Sequence, residues 1–190
     1  GVVADVNVPL GSVDPASGFK YRLMLNSRGA AIESATFSEF DDQQPRDPQP
    51  LVFLSPVDLG TRKVLSMANG ELVLVDEGRR LSLDRLDWKS LGAEKLSDGV
   101  EAASFEATIV DSNDRPVLKL TKTYQVRPDT YMLDAVIRIE NLDDKGHRVR
   151  TSMIGPVGVY YSHDFIHFYF TFYRSVTSMK FKIHFHAQLF

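Results

Sequence analysis

The chain has 190 residues, of which 43% are hydrophobic and 25% are charged, with a formal net charge of -3 and a pI near 6.0. A chain of this length can bury about 70% of the surface that it exposes when unfolded, so its core needs no covalent support. The charge argues against nucleic-acid binding, which requires clustered lysines and arginines, and the lack of cysteine excludes disulfides, thiolate zinc sites and cysteine nucleophiles.

The first half of the chain predicts short strands that are separated by turn-forming residues. Residues 19–25 alternate apolar and polar side chains, which predicts a strand with Phe19, Tyr21 and Leu23 on one face. A second strand follows at residues 30–37. The next segment is polar and contains three prolines, so it predicts a loop, and two further short β-prone runs come after it; these segments are 41–50, 51–54 and 72–75.

Two dipeptides predict tight hairpin turns. Asn69-Gly70 and Asp98-Gly99 both tolerate positive φ, the backbone conformation that such turns require. The first would introduce the run at 72–75, and the second would introduce a strand at 105–110. Only residues 81–91 and 93–96 have the composition for a short helix.

The clearest pattern is a long antiparallel hairpin formed by residues 117–126 and 131–140, joined by a turn at 127–130. A turn at 141–146 and a strand at 148–153 follow. In the second arm of the hairpin one face carries mainly apolar side chains, namely Tyr131, Leu133, Ala135, Ile137 and Ile139. These patterns predict an all-β fold with little helix.

The last thirty-one residues differ from the rest of the chain. Residues 160–190 hold eleven of its twenty aromatic residues and neither glycine nor proline. Two interpretations stay open: an edge region that pairs with strands outside this chain, or a non-native continuation, either a wrong reading frame or an artificial terminus. We therefore divide the chain into an N-terminal segment at 1–18, a β-sandwich domain at 19–158 and an aromatic-rich tail at 159–190.

The N-terminal sequence and the hydropathy indicate whether the chain is an excised piece and whether it crosses a membrane. The chain starts at Gly1 without a methionine or a signal peptide, so we expect an excised piece. No stretch reaches the roughly 18 uncharged apolar residues of a membrane span, so this piece is expected to be soluble.

Several groups of residues have the composition of a chemical site. The tail contains four closely spaced histidines, His163, His167, His184 and His186, which could hold a metal ion, but no carboxylate cluster accompanies them. The adjacent pairs Asp41-Asp42 and Asp143-Asp144 lie in predicted loops and do not face one another across a cleft. No nucleophile elbow, phosphate loop or dinucleotide motif is present. We predict no catalytic residue, no metal and no cofactor.

Five residues are candidates for partner binding: Arg79, Arg80, Arg148, Arg150 and the single tryptophan, Trp88. The arginines suggest a docking patch for a protein or for lipid headgroups, and the alternative is an ordinary polar sheet face. Trp88 suits an interface anchor, because aromatic residues dominate interface energetics, and the alternative is a core position.

Several phrases occur in order between residues 10 and 158. They resemble the first periplasmic domain of bacterial YidC-type insertases (YidC/Oxa family), of which this chain would be the N-terminal part. The phrases are Leu10-Gly11-Ser12-Val13-Asp14-Pro15, Gly29-Ala30-Ala31-Ile32-Glu33, Leu120-Thr121-Lys122-Thr123-Tyr124, Arg127-Pro128-Asp129-Thr130-Tyr131, Arg138-Ile139-Glu140-Asn141 and Gly155-Pro156-Val157-Gly158.

The resemblance implies an antiparallel β-supersandwich, similar to galactose mutarotase-like domains, on the periplasmic side of the bacterial inner membrane in a membrane-embedded parent protein. It also implies that residues 1–18 follow a transmembrane helix that is missing from this piece. It implies a non-catalytic domain that supports the insertion and folding of inner-membrane proteins through contacts with Sec translocon subunits and nascent membrane proteins, with no nucleic-acid partner. One alternative is a carbohydrate-binding or mutarotase-like sandwich, which needs a histidine and a carboxylate across a sugar cleft; His147 is the only histidine before the tail. Another is a generic secreted adhesion module.

Overall fold

A computed structural model describes residues 5–42, 44–160, 166–174 and 178–187. Within these ranges the regular secondary structure is almost entirely β-strand, which confirms the predicted fold class. In chain order the strands are β1 (Asn7–Gly11), β2 (Tyr21–Asn26), β3 (Ala31–Asp41), β4 (Pro50–Leu54), β5 (Val57–Asp58), β6 (Lys63–Val64), β7 (Asn69–Leu74), β8 (Arg79–Ser82), β9 (Lys89–Lys95), β10 (Glu101–Val110), β11 (Pro116–Val126), β12 (Met132–Asn141), β13 (Val149–Met153), β14 (Ile166–Arg174) and β15 (Ser178–Ala187).

Helical structure in the described ranges consists of two single 3-10 turns, at Pro15–Ser17 and Ser97–Gly99. Neither turn has the length or the apolar character to cross a membrane.

The strands form four antiparallel sheets. The two large ones have the orders β1-β2-β3-β4 and β14-β15-β12-β11-β10-β9, and the smaller ones have the orders β13-β7-β8 and β5-β6. One hydrophobic cluster draws buried side chains from both large sheets and from β7 of the three-stranded sheet, including Leu23, Phe37, Leu72, Phe105 and Leu133. The sheets therefore pack face to face around a common core, as in a β-sandwich.

The strongest sequence patterns are confirmed. β11 and β12 pair without interruption from Leu118 opposite Asn141 to Val126 opposite Leu133. The alternation in β12 buries Leu133, Ala135 and Ile137 in the core, as predicted. In the first predicted strand Tyr21 and Leu23 are buried in the same way, although β2 begins two residues later than expected.

The hairpin turn predicted at Asn69-Gly70 is wrong. Both residues lie in β7, where the buried side-chain amide of Asn69 donates a 3.1 Å hydrogen bond to the carbonyl oxygen of Gly29. A Cβ on Gly70 would lie 2.8 Å from the hydroxyl oxygen of Ser152 on β13, so glycine permits the close approach of these two strands. The turn predicted at Asp98-Gly99 is confirmed, since both residues have positive φ between the paired strands β9 and β10.

The two helix predictions are also wrong. Residues 93–96 fall largely in β9, which pairs with β10, and residues 81–91 contain the end of β8, a turn and the start of β9. Cross-strand pairing outweighs the weak helix propensity of these segments. The loop predicted at 41–50 is shorter than expected, because Asp41 and Pro50 form a strand pair. Proline is compatible with this first strand position, where its missing amide hydrogen disrupts little of the ladder.

Strands occur on both sides of the predicted domain boundaries. β1 precedes residue 19 and pairs with β2, while β14 and β15 follow residue 158 and β15 extends along β12. The boundaries themselves stay predictions. The predicted histidine cluster lies outside the described residues at His163 and outside the described side chains at His167, His184 and His186.

Candidate functional site: a buried lysine and an arginine face

Lys122 is a fully buried lysine on the core face of β11, between Leu120 and Tyr124. Its ammonium group donates a hydrogen bond to the carbonyl oxygen of Met67, lies 3.9 Å from the sulfur of Met153 and sits 5.0 Å from the centre of the Tyr124 ring. Burial lowers the pKa of Lys122 to about 7, because the charged form loses its hydration. The side chain therefore connects β11 to the segment before β7 and to β13.

Two buried tyrosines connect the large sheets in opposite directions. The hydroxyl of Tyr124, on β11, donates a 2.8 Å hydrogen bond to the carbonyl of Ala30, and the hydroxyl of Tyr21, on β2, donates a 2.8 Å bond to the carbonyl of Met132. Burial raises the pKa of both phenols well above the usual value, and the charge of Asp134 adds to the effect at Tyr21. Both side chains are therefore neutral structural donors rather than acid–base groups.

Glycines in the phrases that carry the resemblance allow close backbone contacts. Gly158 has a φ of 58°, and a Cβ at this position would lie 2.0 Å from the carbonyl oxygen of Ser55. The amide of Ser55 donates a hydrogen bond to Gly158, and the amide of Tyr160 donates one to Phe53, so this segment runs along β4. Gly11 has a φ of 73°, and its Cβ would lie 2.3 Å from the carbonyl oxygen of Tyr21. The close backbone contacts explain why glycine occupies these positions, so no chemical role is needed to account for them.

The outer face of the three-stranded sheet carries two of the predicted arginines. Val73 on the central strand β7 lies opposite Arg80 on β8 and opposite Arg150 on β13, so the three side chains share one face. Val73 is only 6% exposed, whereas both arginines are exposed. Arg80 pairs with Glu71 at 3.1 Å, and Arg150 makes no ion pair or side-chain hydrogen bond with any residue that the structure describes. We call Arg80, Val73 and Arg150 the arginine face.

The other two arginines lie apart from this pair. Arg148 stands two residues before Arg150, and its guanidinium contacts Asp76 at 2.5 and 2.7 Å. Hydrogen bonds from Arg148 hold the pKa of Asp76 below its usual value. Arg79 neighbours Arg80 on β8 and therefore points to the opposite side, where it donates a 2.7 Å hydrogen bond to the carbonyl of Val110. Arg79 thus connects the three-stranded sheet to β10 of the six-stranded sheet.

Trp88 lies in the hydrophobic core and is 2% exposed. Its indole nitrogen has no hydrogen-bond partner among the residues of the described ranges. A partner cannot reach this ring in the observed conformation, so the position favours the core alternative over the interface anchor.

Sequence reasoning did not anticipate an ion cluster around His147. Its two ring nitrogens lie 2.9 Å from Asp143 and 3.3 Å from Glu77, and its side chain is 7% exposed. One ring nitrogen hydrogen-bonds with the Asp143 carboxylate, and the Glu77 carboxylate lies beside the other. In the sequence, the four-residue spacing of Asp143 and His147 was the feature that could have indicated this contact. Because both nitrogens face carboxylates of the same chain, His147 does not present a base to a substrate.

Among the residues that can be placed, no group of three histidine, aspartate or glutamate side chains has the geometry to hold a metal ion. Comparison with known proteins gives a more specific result. A family model described as the YidC periplasmic domain matches residues 19–180. No curated protein and no solved structure matches the chain. The matched range runs from just before β2 into β15 and includes Lys122, the arginine face and the phrase that ends at Gly158.

Proposed function

Because the chain belongs to the family of YidC periplasmic domains, we propose that it is a non-catalytic module that supports the insertion and folding of inner-membrane proteins. Membership associates the domain with a membrane protein insertase and with the periplasm. The family match over residues 19–180 is the observation that carries the proposal.

The use of polar residues in the interior supports a non-catalytic role. Lys122, Tyr124 and Tyr21 are buried and bonded to main-chain carbonyls, so they hold the sheets together and are not open to a substrate. General acid–base catalysis requires a group within hydrogen-bonding reach of the substrate. These three residues do not meet that requirement.

The arginine face is our candidate for contact with a translocon subunit or a nascent membrane protein. Arg80 and Arg150 lie on the two strands on either side of Val73. Because neighbouring strands lie about 4.8 Å apart, the Cα atoms of the two arginines are roughly 10 Å from one another. A guanidinium group binds a carboxylate through two parallel hydrogen bonds, and no described residue occupies the donors of Arg150. An acidic segment on the partner is the chemistry that this pair fits.

Site-specific photocrosslinking in the full-length membrane-embedded parent tests this proposal. A photoreactive residue at Arg150 should crosslink to translocon subunits or to nascent membrane proteins, and the reverse-charge variant Arg80→Glu should weaken the crosslinks obtained there. The matched control places the photoreactive residue at Thr108, an exposed position on the outer face of β10. Equal crosslinking from the two positions, or none from Arg150, would contradict the assignment of the arginine face.

A further inference from the structure

The ammonium group of Lys122 has more hydrogen-bond donors than the core supplies with acceptors. A lysine ammonium group carries three N–H donors. Among the described residues, the carbonyl of Met67 provides the one oxygen that accepts from it, and no carboxylate forms an ion pair with it. The next contact is the sulfur of Met153, a weak acceptor 3.9 Å from Nζ. A stronger acceptor in place of this sulfur would stabilise the charged form of Lys122.

The remaining neighbour of the ammonium group carries no charge. The ring of Tyr124 is centred 5.0 Å from Nζ, and burial raises the pKa of its hydroxyl well above the usual value, so the phenol stays neutral. The charge of Lys122 is therefore balanced by dipoles and by the ring face alone within the described part of the molecule.

Met153 is placed where an oxidant in solution can reach it. It is the last residue of β13, which stands at one end of the strand order β13-β7-β8, and its side chain is half-buried against the hydrophobic core. Met67, by contrast, is 1% exposed. The two methionines that contact the ammonium group thus differ in access, and Met153 is the one open to small reagents.

Hydrogen peroxide converts a methionine thioether into a sulfoxide. The sulfur attacks one oxygen of the peroxide, the O–O bond breaks and a sulfur–oxygen bond forms. The departing hydroxide takes up the proton of the transferred oxygen and leaves as water. The sulfur is oxidised by two electrons and the peroxide is reduced by the same two electrons. The new oxygen is a much stronger hydrogen-bond acceptor than the sulfur that carries it.

The position of Lys122 decides what this oxygen does in the core. A sulfoxide usually disrupts a hydrophobic core, because it buries a polar oxygen without a partner. An oxygen on the side of the Met153 sulfur that faces Lys122 comes within hydrogen-bonding reach of the ammonium group, since the sulfur itself is 3.9 Å away. That hydrogen bond would be charge-assisted, and such bonds are about twice as strong as neutral ones.

We propose that Met153 is a reversible oxidation site whose sulfoxide oxygen is bound by the ammonium group of Lys122. Oxidation then exchanges a weak N–H···S contact for a strong hydrogen bond between β11 and β13, so the sandwich keeps its fold in the presence of peroxide. Methionine sulfoxide reductases return the residue to the thioether. The inference concerns the interior of the domain and does not depend on what the arginine face binds.

Peroxide treatment of the folded 190-residue chain tests the site. Peptide mass spectrometry should find Met153 oxidised well before the buried Met67, while circular dichroism shows that the fold is kept. Urea unfolding then compares treated and untreated protein in two backgrounds, the unaltered chain and Lys122→Leu. Oxidation should raise the unfolding equilibrium constant roughly tenfold more when Lys122 is absent. Oxidation of the other methionines is common to both backgrounds and cancels in this comparison.

The variant Met153→Gln repeats the test without peroxide, because the glutamine amide places an oxygen near the position of the sulfoxide oxygen. Lys122 has a pKa of about 7 in the folded protein and 10.5 ordinarily, so its burial makes stability rise with pH between about pH 7 and pH 9. The new acceptor stabilises the charged form in the folded state, so this rise should become smaller. The matched control is Met24→Gln, at a half-buried methionine on the opposite side of β2 from the core residue Leu23, and it should leave the rise unchanged.

Three results would overturn the inference: a Met153 that resists peroxide in the folded chain, an equal cost of oxidation with and without Lys122, or an unchanged pH dependence in Met153→Gln. The pH comparison retains Lys122, so it decides the question even if Lys122→Leu does not fold. None of these measurements involves a translocon subunit or a nascent chain, so they succeed or fail separately from the proposed function.

Discussion

The hydroxyl group of Tyr124 donates a 2.8 Å hydrogen bond to the main-chain carbonyl of Ala30 across the interior of the sandwich. The two residues are 94 positions apart, and each belongs to one of the phrases that resemble the YidC-type periplasmic domain. Ala30 has a positive φ of 47°, and its carbonyl accepts this bond in a buried site. These two phrases are thus the two sides of one contact between the large sheets.

Removing the Tyr124 hydroxyl should destabilise the domain. The variant Tyr124→Phe leaves the carbonyl of Ala30 buried without its donor, which costs about 1–3 kcal/mol of unfolding free energy. The control is Tyr131→Phe, because the Tyr131 hydroxyl donates to the more exposed carboxylate of Glu39 at 2.6 Å, where water can replace it. We expect that control to lose less than about 1 kcal/mol. Urea unfolding followed by circular dichroism measures both, and equal losses would contradict the prediction.

Lys122 should make the stability of the domain depend on pH. Its pKa is about 7 in the folded protein and 10.5 ordinarily, so between these values the unfolded chain binds more protons than the folded chain. The free energy of unfolding should therefore rise with pH from about 7 to about 9, with a slope of at most about 1.4 kcal/mol per pH unit. At pH values below 7 the full cost of burying the ammonium group is present.

The variant Lys122→Met isolates this effect. Methionine keeps much of the side-chain volume and does not titrate, so the rise in stability between about pH 7 and pH 9 should flatten. The measurement is a series of urea unfolding curves at several pH values for both proteins. A rise that persists unchanged in the variant would assign the pH dependence to other groups.

Local patterns predicted the parts of the fold in which neighbouring residues decide the outcome. Strict alternation identified β11 and β12, and the turn at Asp98-Gly99 followed from its tolerance of positive φ. Asn69-Gly70 has the same local preference but lies in a strand, because the close approach of Ser152 requires a residue without a side chain there. That requirement depends on a strand more than eighty residues away, so local sequence does not contain it.

At the candidate site, too, some features follow from local sequence and others depend on long-range contacts. Alternation along a strand separates Arg79 from Arg80, so their opposite directions could have been foreseen. The pairing of Arg80 with Arg150 across Val73 depends on the long-range contact between β13 and β7. The burial of Lys122 could not be predicted from the sequence either. Its neighbours on the same face of β11, Leu120 and Tyr124, are buried as alternation predicts, but lysine is seldom fully buried.

Trp88 should report the folded state by fluorescence. It is the only tryptophan in the chain and is 2% exposed, so its emission should lie at short wavelength and resist quenching by acrylamide. Unfolding in urea should shift the emission to longer wavelength and make it easy to quench. A long-wavelength, readily quenched emission from the folded protein would show that the ring is exposed, and would favour the interface role over the core role.

Gly158 should be far less tolerant of substitution than its neighbour Gly155. In Gly158→Ala the new Cβ would lie 2.0 Å from the carbonyl oxygen of Ser55, and the residue would keep a φ of 58° that alanine disfavours. We expect a loss of roughly 2–4 kcal/mol, since the segment must leave β4 to relieve the clash.

The control Gly155→Ala has no atom within 4 Å of the new Cβ, so it should stay within about 1 kcal/mol of the unaltered chain, with a gain more expected than a loss. Thermal and urea unfolding of the two variants measure the difference. Equal stabilities would mean that the chain accommodates a side chain at Gly158 by moving away from Ser55. The contact between this segment and β4 would then contribute little to holding the sandwich together, and the glycine would need another explanation.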